Sequence, residues 1–316
     1  MTKTYDVFGI GTALVDYFVK SDEDFLAKNG LIKGATNFIP RKKLDELHAK
    51  LSHSVFACLP GDNARNTCEG VCFLRGKSAY ASNIAEDEEG SIFEGSLRAQ
   101  HIDSFLEKKQ GNTGKIIAFI TPDGERTFAV DLGNSREYDS LPADGIKNAY
   151  FLHLTSITLL EKGRIAKSTR DAIEFAKRNN VCVSLSLESP PMINKNKDEL
   201  RKIIPRADIL FANEEELGAF VGSKVDEAAR DLAGEIDTVC LKKGGNGSII
   251  FSRGERFSIP AYSVKVVDTT GAGDFYAAGV LFGMSRGQSI EAAGHLGAKL
   301  AAKVVENFGA TLTQRP

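Results

Sequence analysis

The sequence predicts an α/β protein: a doubly wound, mostly parallel sheet with helices on both faces, plus a small second β-sheet. Three observations carry this. From about residue 150 onward, short apolar runs alternate with segments of helical spacing, the pattern of βαβ units whose strands are buried on both faces. Before that point, residues 115–121 and 126–130 are strand-like runs joined by the string PDGE, which supplies turn residues for a hairpin. Third, a Gly-Ala-Gly stretch at 271–273 precedes an apolar helix, as where a parallel sheet meets a ligand.

The elements follow in order. An apolar strand begins within the first residues, and short strands near 14–19 and 36–39 are placed to pair with the 115–130 hairpin. These pieces read as a small projecting sheet; extra edge strands on the main sheet are the alternative. An apolar run covers 151–154. Residues 164–178 have helical spacing through Ile165, Ala172, Ile173, Phe175 and Ala176. Strands follow at 181–187 and 209–211, then helix signals from Glu214. Further strands are expected at 238–241 and 248–251. Residues 264–267 are expected to be a strand feeding the Gly-Ala-Gly turn and a helix beginning near Asp274. A last helix spans about 289–306.

The chain has 316 residues, 42% hydrophobic and 26% charged, enough to bury a core without disulfides. Forty Lys and Arg against 42 Asp and Glu leave a formal charge of −2. That balance argues against a protein built to bind nucleic acid or anionic lipid. No apolar run reaches membrane-span length, and the N-terminus lacks the layout of a secretory signal. Five cysteines without a C-x-x-C pair fit reduced thiols in a cytoplasmic protein. Cys68 and Cys72 share a helical face and read as core thiols.

The chemistry concentrates in DTTGAGDFYAAG at 268–279. Small residues let the backbone approach a ligand, and the following helix start offers unpaired N–H groups and a positive dipole end. Gly271, Ala272 and Gly273 therefore form an anion site suited to phosphate. The string is neither a Walker A loop nor a dinucleotide fingerprint, since no Gly-Lys-Ser/Thr follows and Tyr276 occupies the third glycine position. Asp274 puts a carboxylate inside this site. Spacing alone leaves two readings open: a general base taking a proton from an attacking hydroxyl, or a helix cap.

The same string resembles the C-terminal signature of the PfkB, or ribokinase-like, family of carbohydrate and nucleoside kinases. Four other strings extend the resemblance over almost the whole chain: GIGTALVD (9–16), GDNARNT (61–67), TPDGERT (121–127) and NEEE (213–216). NGLIKG (29–34) and Tyr276 make it closest to the adenosine-kinase-like branch. The resemblance implies one ribokinase-like domain over 1–316 with a lid from segments of about 12–20, 35–40 and 115–132. It implies transfer of the γ-phosphoryl of Mg-ATP to a primary hydroxyl, with Asp274 as base and the N–H groups of 271–273 holding charge. Asp16, Gly61, Asp62 and Asn66 would face the acceptor. Asn213, Lys242, Gly244, Gly247 and Asn307 would face ATP, and Glu216 would organise Mg2+ through water. Partners would be ATP and a nucleoside, adenosine first, with ribose, fructose or a related sugar as the alternative acceptor and a non-catalytic homologue behind both. Some relatives dimerise lid to lid, so a homodimer is a further expectation.

The chain departs from the family in its acceptor half. Asp62 stands where a second glycine is usual, Thr12 where Asn is frequent, and Ser82-Asn83 where Gly-Lys is usual. Asp62 either faces the acceptor pocket, displaces the loop, or pairs with Arg65 as a partly exposed ion pair. Asp62 and Arg65 lean toward a free sugar. Phe38, Phe119 and Phe128 are available either to cover a base or to pack the core.

Overall fold

The computed structural model describes residues 3–312. Its strands are β1 (Tyr5–Ile10), β2 (Leu14–Lys20), β3 (Thr36–Phe38), β4 (Val55–Gly61), β5 (Ser78–Ile84), β6 (Asp103–Lys108), β7 (Gly114–Ile120), β8 (Arg126–Asp131), β9 (Ala149–Thr155), β10 (Cys182–Ser186), β11 (Ile209–Asn213), β12 (Thr238–Lys242), β13 (Ser248–Ser252) and β14 (Glu255–Ile259). Its helices are α1 (Glu23–Lys28), α2 (Arg41–Leu51), α3 (Asn63–Phe73), α4 (Glu88–Ala99), α5 (Ala143–Lys147), α6 (Ser156–Leu160), α7 (Arg164–Arg178), α8 (Pro190–Lys195), α9 (Lys197–Ile203), α10 (Glu214–Val221), α11 (Val225–Leu232), α12 (Ala272–Ser285) and α13 (Ile290–Val304).

A nine-stranded sheet runs in the order β14-β13-β12-β11-β10-β9-β1-β5-β6. It is parallel from β12 to β6; β13 runs against β12, and β14 turns back against β13. Its strands send alternate side chains to opposite faces. Phe8, Ile10, Leu152, Leu154, Leu210 and Val239 enter one core with α5 to α11. Val7, Phe151, Ile209, Phe211 and Cys240 enter the other with α3, α4, α12 and α13. This two-sided burial explains why the strands read as continuous apolar runs. Cys68 and Cys72 lie in the second core, as their helical spacing implied.

The N-terminal pieces form a separate five-stranded sheet, β3-β8-β7-β2-β4, rather than edges of the main one. The hairpin is β7–β8, and β4, which the sequence reading did not assign to it, is an edge. One face of this sheet packs against α1 and α2 through Val19, Ile117, Phe119 and Ala129 with Leu26, Leu44 and Leu47. Phe119 is fully buried there, so it cannot cover a ligand on the other face.

One element differs. Residues 264–267 are not a strand. The N–H groups of Val267 and Asp268 go to the carbonyl of Val305, at 2.7 and 3.2 Å, instead of to a neighbouring strand. Val266 and Val267 stay exposed, so β-branched composition alone misled. The helix then starts at Ala272.

Candidate active site

A cavity of about 720 Å3 opens at the C-terminal ends of the parallel strands, where open α/β sheets bind ligands. One wall is the turn entering α12. Gly271 is the N-cap at φ 78°, left-handed backbone that favours glycine. A side chain there would also strike Ala310. Its geometry turns the first amides of α12 outward, and no protein acceptor takes the N–H of Gly271 or Gly273 among the described residues. The N–H of Ala272 bonds the Thr269 carbonyl at 3.2 Å. Two of the three expected anion-binding amides are therefore available, and Ala272 contributes only its place in the wall.

Asp274 lines the same cavity and is 8% exposed. It does not cap the helix: no side-chain cap bond is made, and its Oδ2 accepts from Asn66 Nδ2 at 2.9 Å. Burial pushes its carboxyl up to about 7. The Asn66 hydrogen bond and the Lys242 cation pull it down, and the charges of Asp62 and Glu216 push it further up. A carboxyl near 7 suits proton abstraction at neutral pH.

Asn66 itself is held. Its Oδ1 accepts from Arg65 Nη1 at 3.2 Å, and Arg65, fully buried, pairs with Glu69 at 2.5 Å. Glu69 also accepts from Thr311 Oγ1 at 2.7 Å and the Leu312 amide at 3.0 Å. Arg65 therefore does not pair with Asp62. Asp62 is the N-cap of α3, buried at φ 118°, with Oδ1 taking the Arg65 amide at 2.8 Å. Its Oδ2 takes the Thr12 amide at 2.6 Å and the Thr12 hydroxyl at 3.1 Å. The carboxylate is a staple between α3 and the β1–β2 loop, neither an exposed ion pair nor a free pocket acid. Thr12 completes that staple. Ser82 bridges the same loop, donating to the Gly11 carbonyl at 2.8 Å and accepting from the Ala13 amide at 3.2 Å.

Asp16 stands on the face of the second sheet opposite α1 and α2. Leu59 and Ile116 lie directly across from it, and Gly61 is beside it, where a Cβ would come 2.7 Å from Asp16 Oδ2. Its Oδ1 is buried with no hydrogen-bond partner. Burial, then the Asp62 charge, pushes Asp16 up to about 7.

Asn213 and Glu216 form a capping box at the start of α10. Asn213 Oδ1 takes the Glu216 amide at 2.7 Å, and Glu216 Oε2 takes the Asn213 amide at 2.8 Å. Both also line the cavity. Glu214 and Glu215 are exposed. Lys242, at the end of β12, puts Nζ 3.8 Å from Glu216 and against Gly273, where a Cβ would meet it at 2.7 Å. That sets one cation beside the anion turn. Gly244 and Gly247 line the cavity across a 3-10 turn. Asn307 does not line it; its amide bonds the Lys303 carbonyl at 3.1 Å.

Three residues escaped sequence reading. Glu188, just past β10, takes Asn63 Nδ2 at 2.5 Å, and burial together with the Asp62 and Asp274 charges pushes it up to about 8. Asn63 lines the cavity from the first turn of α3. Arg126, at the start of β8, pairs with Asp268 at 2.9 Å and donates to Thr270 at 2.5 Å, joining the second sheet to the anion turn. Arg126 lies inside the 121–127 string quoted above and Asn63 inside the 61–67 string; Glu188 carries no sequence signal of its own.

Residues 37–315 match the pfkB family carbohydrate kinase description. A probable sugar kinase from Rhizobium etli CFN 42 superposes with a TM-score of 0.91 at 28% identity, covering 99% of this chain and 97% of that one. The adenosine kinase of Sinorhizobium meliloti does so at 0.89 and 30% identity, with the same coverage. The 5-dehydro-2-deoxygluconokinase of Bacillus subtilis is 27% identical over 81% of this chain and 83% of its own length. Kinases of this family use ATP to phosphorylate hydroxyl groups of sugars or nucleosides. With that match over most of its length and a fold shared with these kinases, this chain belongs to the pfkB family of carbohydrate kinases.

Proposed function

We propose that this enzyme transfers the γ-phosphoryl of ATP to the primary hydroxyl of a nucleoside, adenosine first. The observation that carries the reading is the surrounding of Asp16. A carboxylate oxygen without a partner sits among apolar neighbours on its sheet face, with Leu59 and Ile116 across from it and Phe128 further along the same face, all three half-buried. A diol matches the carboxylate's two oxygens, and a flat base matches the apolar surface. A free sugar has no use for the apolar part. Asp62 and Arg65, the two residues that leaned toward a sugar, are occupied by Thr12 and Glu69.

With Asn66 on Oδ2, Asp274 presents Oδ1 to the acceptor hydroxyl and takes its proton as the new O–P bond forms and the bond to ADP breaks. The amides of Gly271 and Gly273 and the Lys242 ammonium face the charge on the transferring group. The second sheet acts as a lid over the acceptor, with Arg126 as its contact to the anion turn.

Magnesium fits here only with its water shell retained. Among the described residues no group of three His, Cys, Asp or Glu could ligate a metal, and Glu216 offers one carboxylate at the wall. Glu216 and Asn213 would hold it through water, and when bound it neutralises phosphate charge.

The test is coupled ADP release over adenosine, inosine, guanosine, cytidine, ribose and fructose. Adenosine is expected to give the highest kcat/KM. A sugar exceeding every nucleoside would replace the nucleoside reading with the sugar-kinase one.

A further inference from the structure

We infer that the acceptor of this kinase carries no negative charge, so that sugar acids and sugar phosphates are rejected by an acidic wall around the acceptor site. The inference rests on the kinase reading above and narrows its substrate class.

The wall consists of four carboxyl groups from four parts of the fold. Asp16 comes from β2, Asp62 from the cap of α3, Asp274 from the first turn of α12 and Glu188 from the end of β10. They are gathered around the first turn of α3: Asp62 caps it, Asn63 donates to Glu188 at 2.5 Å, Asn66 donates to Asp274 at 2.9 Å, and a Cβ on Gly61, the residue before Asp62, would come 2.7 Å from Asp16. At that range Asp62 opposes ionisation of Asp16, Asp274 and Glu188. A cluster of acids proves little alone, since each acid could be fully engaged with protein donors. Asp16 is not, because its buried Oδ1 has no partner and a ligand donor is what would satisfy it.

The cations near these acids do not offset the wall. Arg65 is buried against Glu69 at 2.5 Å. Arg126 is paired with Asp268 at 2.9 Å. Lys115 lies on the opposite face of the second sheet, held by Glu89 at 2.5 Å and Asp45 at 3.0 Å. Lys242 faces Gly273 and Glu216, on the phosphate side. Positive charge is thus kept where a triphosphate enters, and negative charge where the acceptor enters. An anionic acceptor would lose its hydration to meet only like charges. An uncharged polyol meets acceptors for its hydroxyl hydrogens. The high proton affinity of Asp16 and Glu188 softens the wall near neutrality and hardens it in alkali.

The test is calorimetric titration of matched acceptors, ribose against ribonate and uridine against orotidine, alongside coupled ADP release with the same compounds. One like charge about 6 Å away near a protein surface corresponds to roughly 100-fold in affinity. Each anionic member is therefore expected to bind about 100-fold more weakly than its neutral partner, with a wider gap at alkaline pH. Glu188→Gln keeps the shape and removes the charge, so above about pH 8, where Glu188 is ionised, it should narrow the gap by about tenfold; a steric origin would leave the gap unchanged at every pH. Asp16→Asn provides the same comparison should Glu188→Gln fail to fold. Anionic members binding within about threefold of their partners, or a gap unmoved in the variants, overturns the inference and leaves the kinase reading intact. Discrimination in binding with no phosphoryl transfer to any compound overturns the kinase reading instead. Failure of every neutral compound to bind overturns both.

Discussion

Replacing Asn66 by Leu isolates one hydrogen bond to the proposed base. In the enzyme, Asn66 Nδ2 donates to Asp274 Oδ2 at 2.9 Å, and both groups are buried. A buried hydrogen bond to an ionised group contributes about 1.5–3 kcal/mol. At about 1.4 kcal/mol per pK unit, its loss should raise the Asp274 carboxyl by roughly one to two units. That carboxyl already lies at about 7, because burial outweighs the help it receives from Asn66 and Lys242. The base must be ionised to act, so activity climbs as pH rises through its pKa. The acid limb of kcat/KM should therefore move alkaline by roughly one to two units, cutting activity at about pH 7 about 5–50-fold and restoring most of it in alkali. The assay is kcat/KM for ATP at saturating acceptor across the pH range. A variant whose rate falls equally at every pH, with the limb in place, would refute the reasoning and make Asn66 an acceptor contact only.

Asp274→Asn should lower kcat by about 10²–10⁴ while ATP still binds, and a rate within tenfold of the parent would remove the base assignment. Stability should respond to pH in the unusual direction for a protein rich in acids. Asp16, Asp274 and Glu188 have folded-state values of about 7, 7 and 8, above their ordinary ones. Between about pH 4 and about pH 8 these three groups bind more protons in the folded chain than in the unfolded one, so their contribution to stability falls as pH rises. Buried His153 and half-buried His48, lowered from about 6.5, oppose this in the acid part, which leaves the fall clearest above about pH 6.5. Thermal melts should show a falling Tm, and Glu188→Gln should raise Tm at the alkaline end and leave the acid end unchanged; a Tm that climbs with pH from these groups would contradict their burial. Asp62→Gly relieves the strain of φ 118° but removes acceptors for three hydrogen bonds from Thr12 and Arg65. Strain of that kind is worth about 1–3 kcal/mol and charge-assisted bonds about 1.5–3 kcal/mol each, so Tm should drop with the ranking among neutral acceptors unchanged. A changed ranking among neutral acceptors in an equally stable variant would make Asp62 a direct acceptor contact.

The main sheet was legible because two-sided burial forces continuous apolar runs, and the hairpin because its turn needs Pro, Asp and Gly at fixed places. The anion turn was legible for the same local reason: Gly271 occupies a conformation few other residues adopt. What escaped depends on contacts between distant parts of the chain. Spacing suggested that Arg65 would pair with Asp62, yet the arginine turns to Glu69 one helical turn on, where Thr311 and Leu312 complete the carboxylate's partners. Glu188 has no local signature, since its meaning comes from Asn63, 125 positions earlier in the chain. The strand expected at 264–267 failed because its amides found Val305, a partner that no window around those valines contains.

The first turn of α3 explains why this short stretch matters more than its composition suggests. Asp62, Asn63 and Asn66 all lie at the start of that helix, and each reaches a different part of the site. Asp62 holds the β1–β2 loop that leads to Asp16, Asn63 holds Glu188, and Asn66 holds Asp274. Arg65 stands among them and fixes the Asn66 amide by occupying its oxygen, so that the nitrogen must face the base. One rigid helical turn thus sets the spacing of three carboxyl groups that repel one another. Without it those acids would separate or take water, and both changes lower their proton affinity. The helix therefore does electrostatic work as well as structural work: by holding acids together in a dry place it keeps the base near neutrality, where an alcohol's proton can be taken without a strong acid or base in solution.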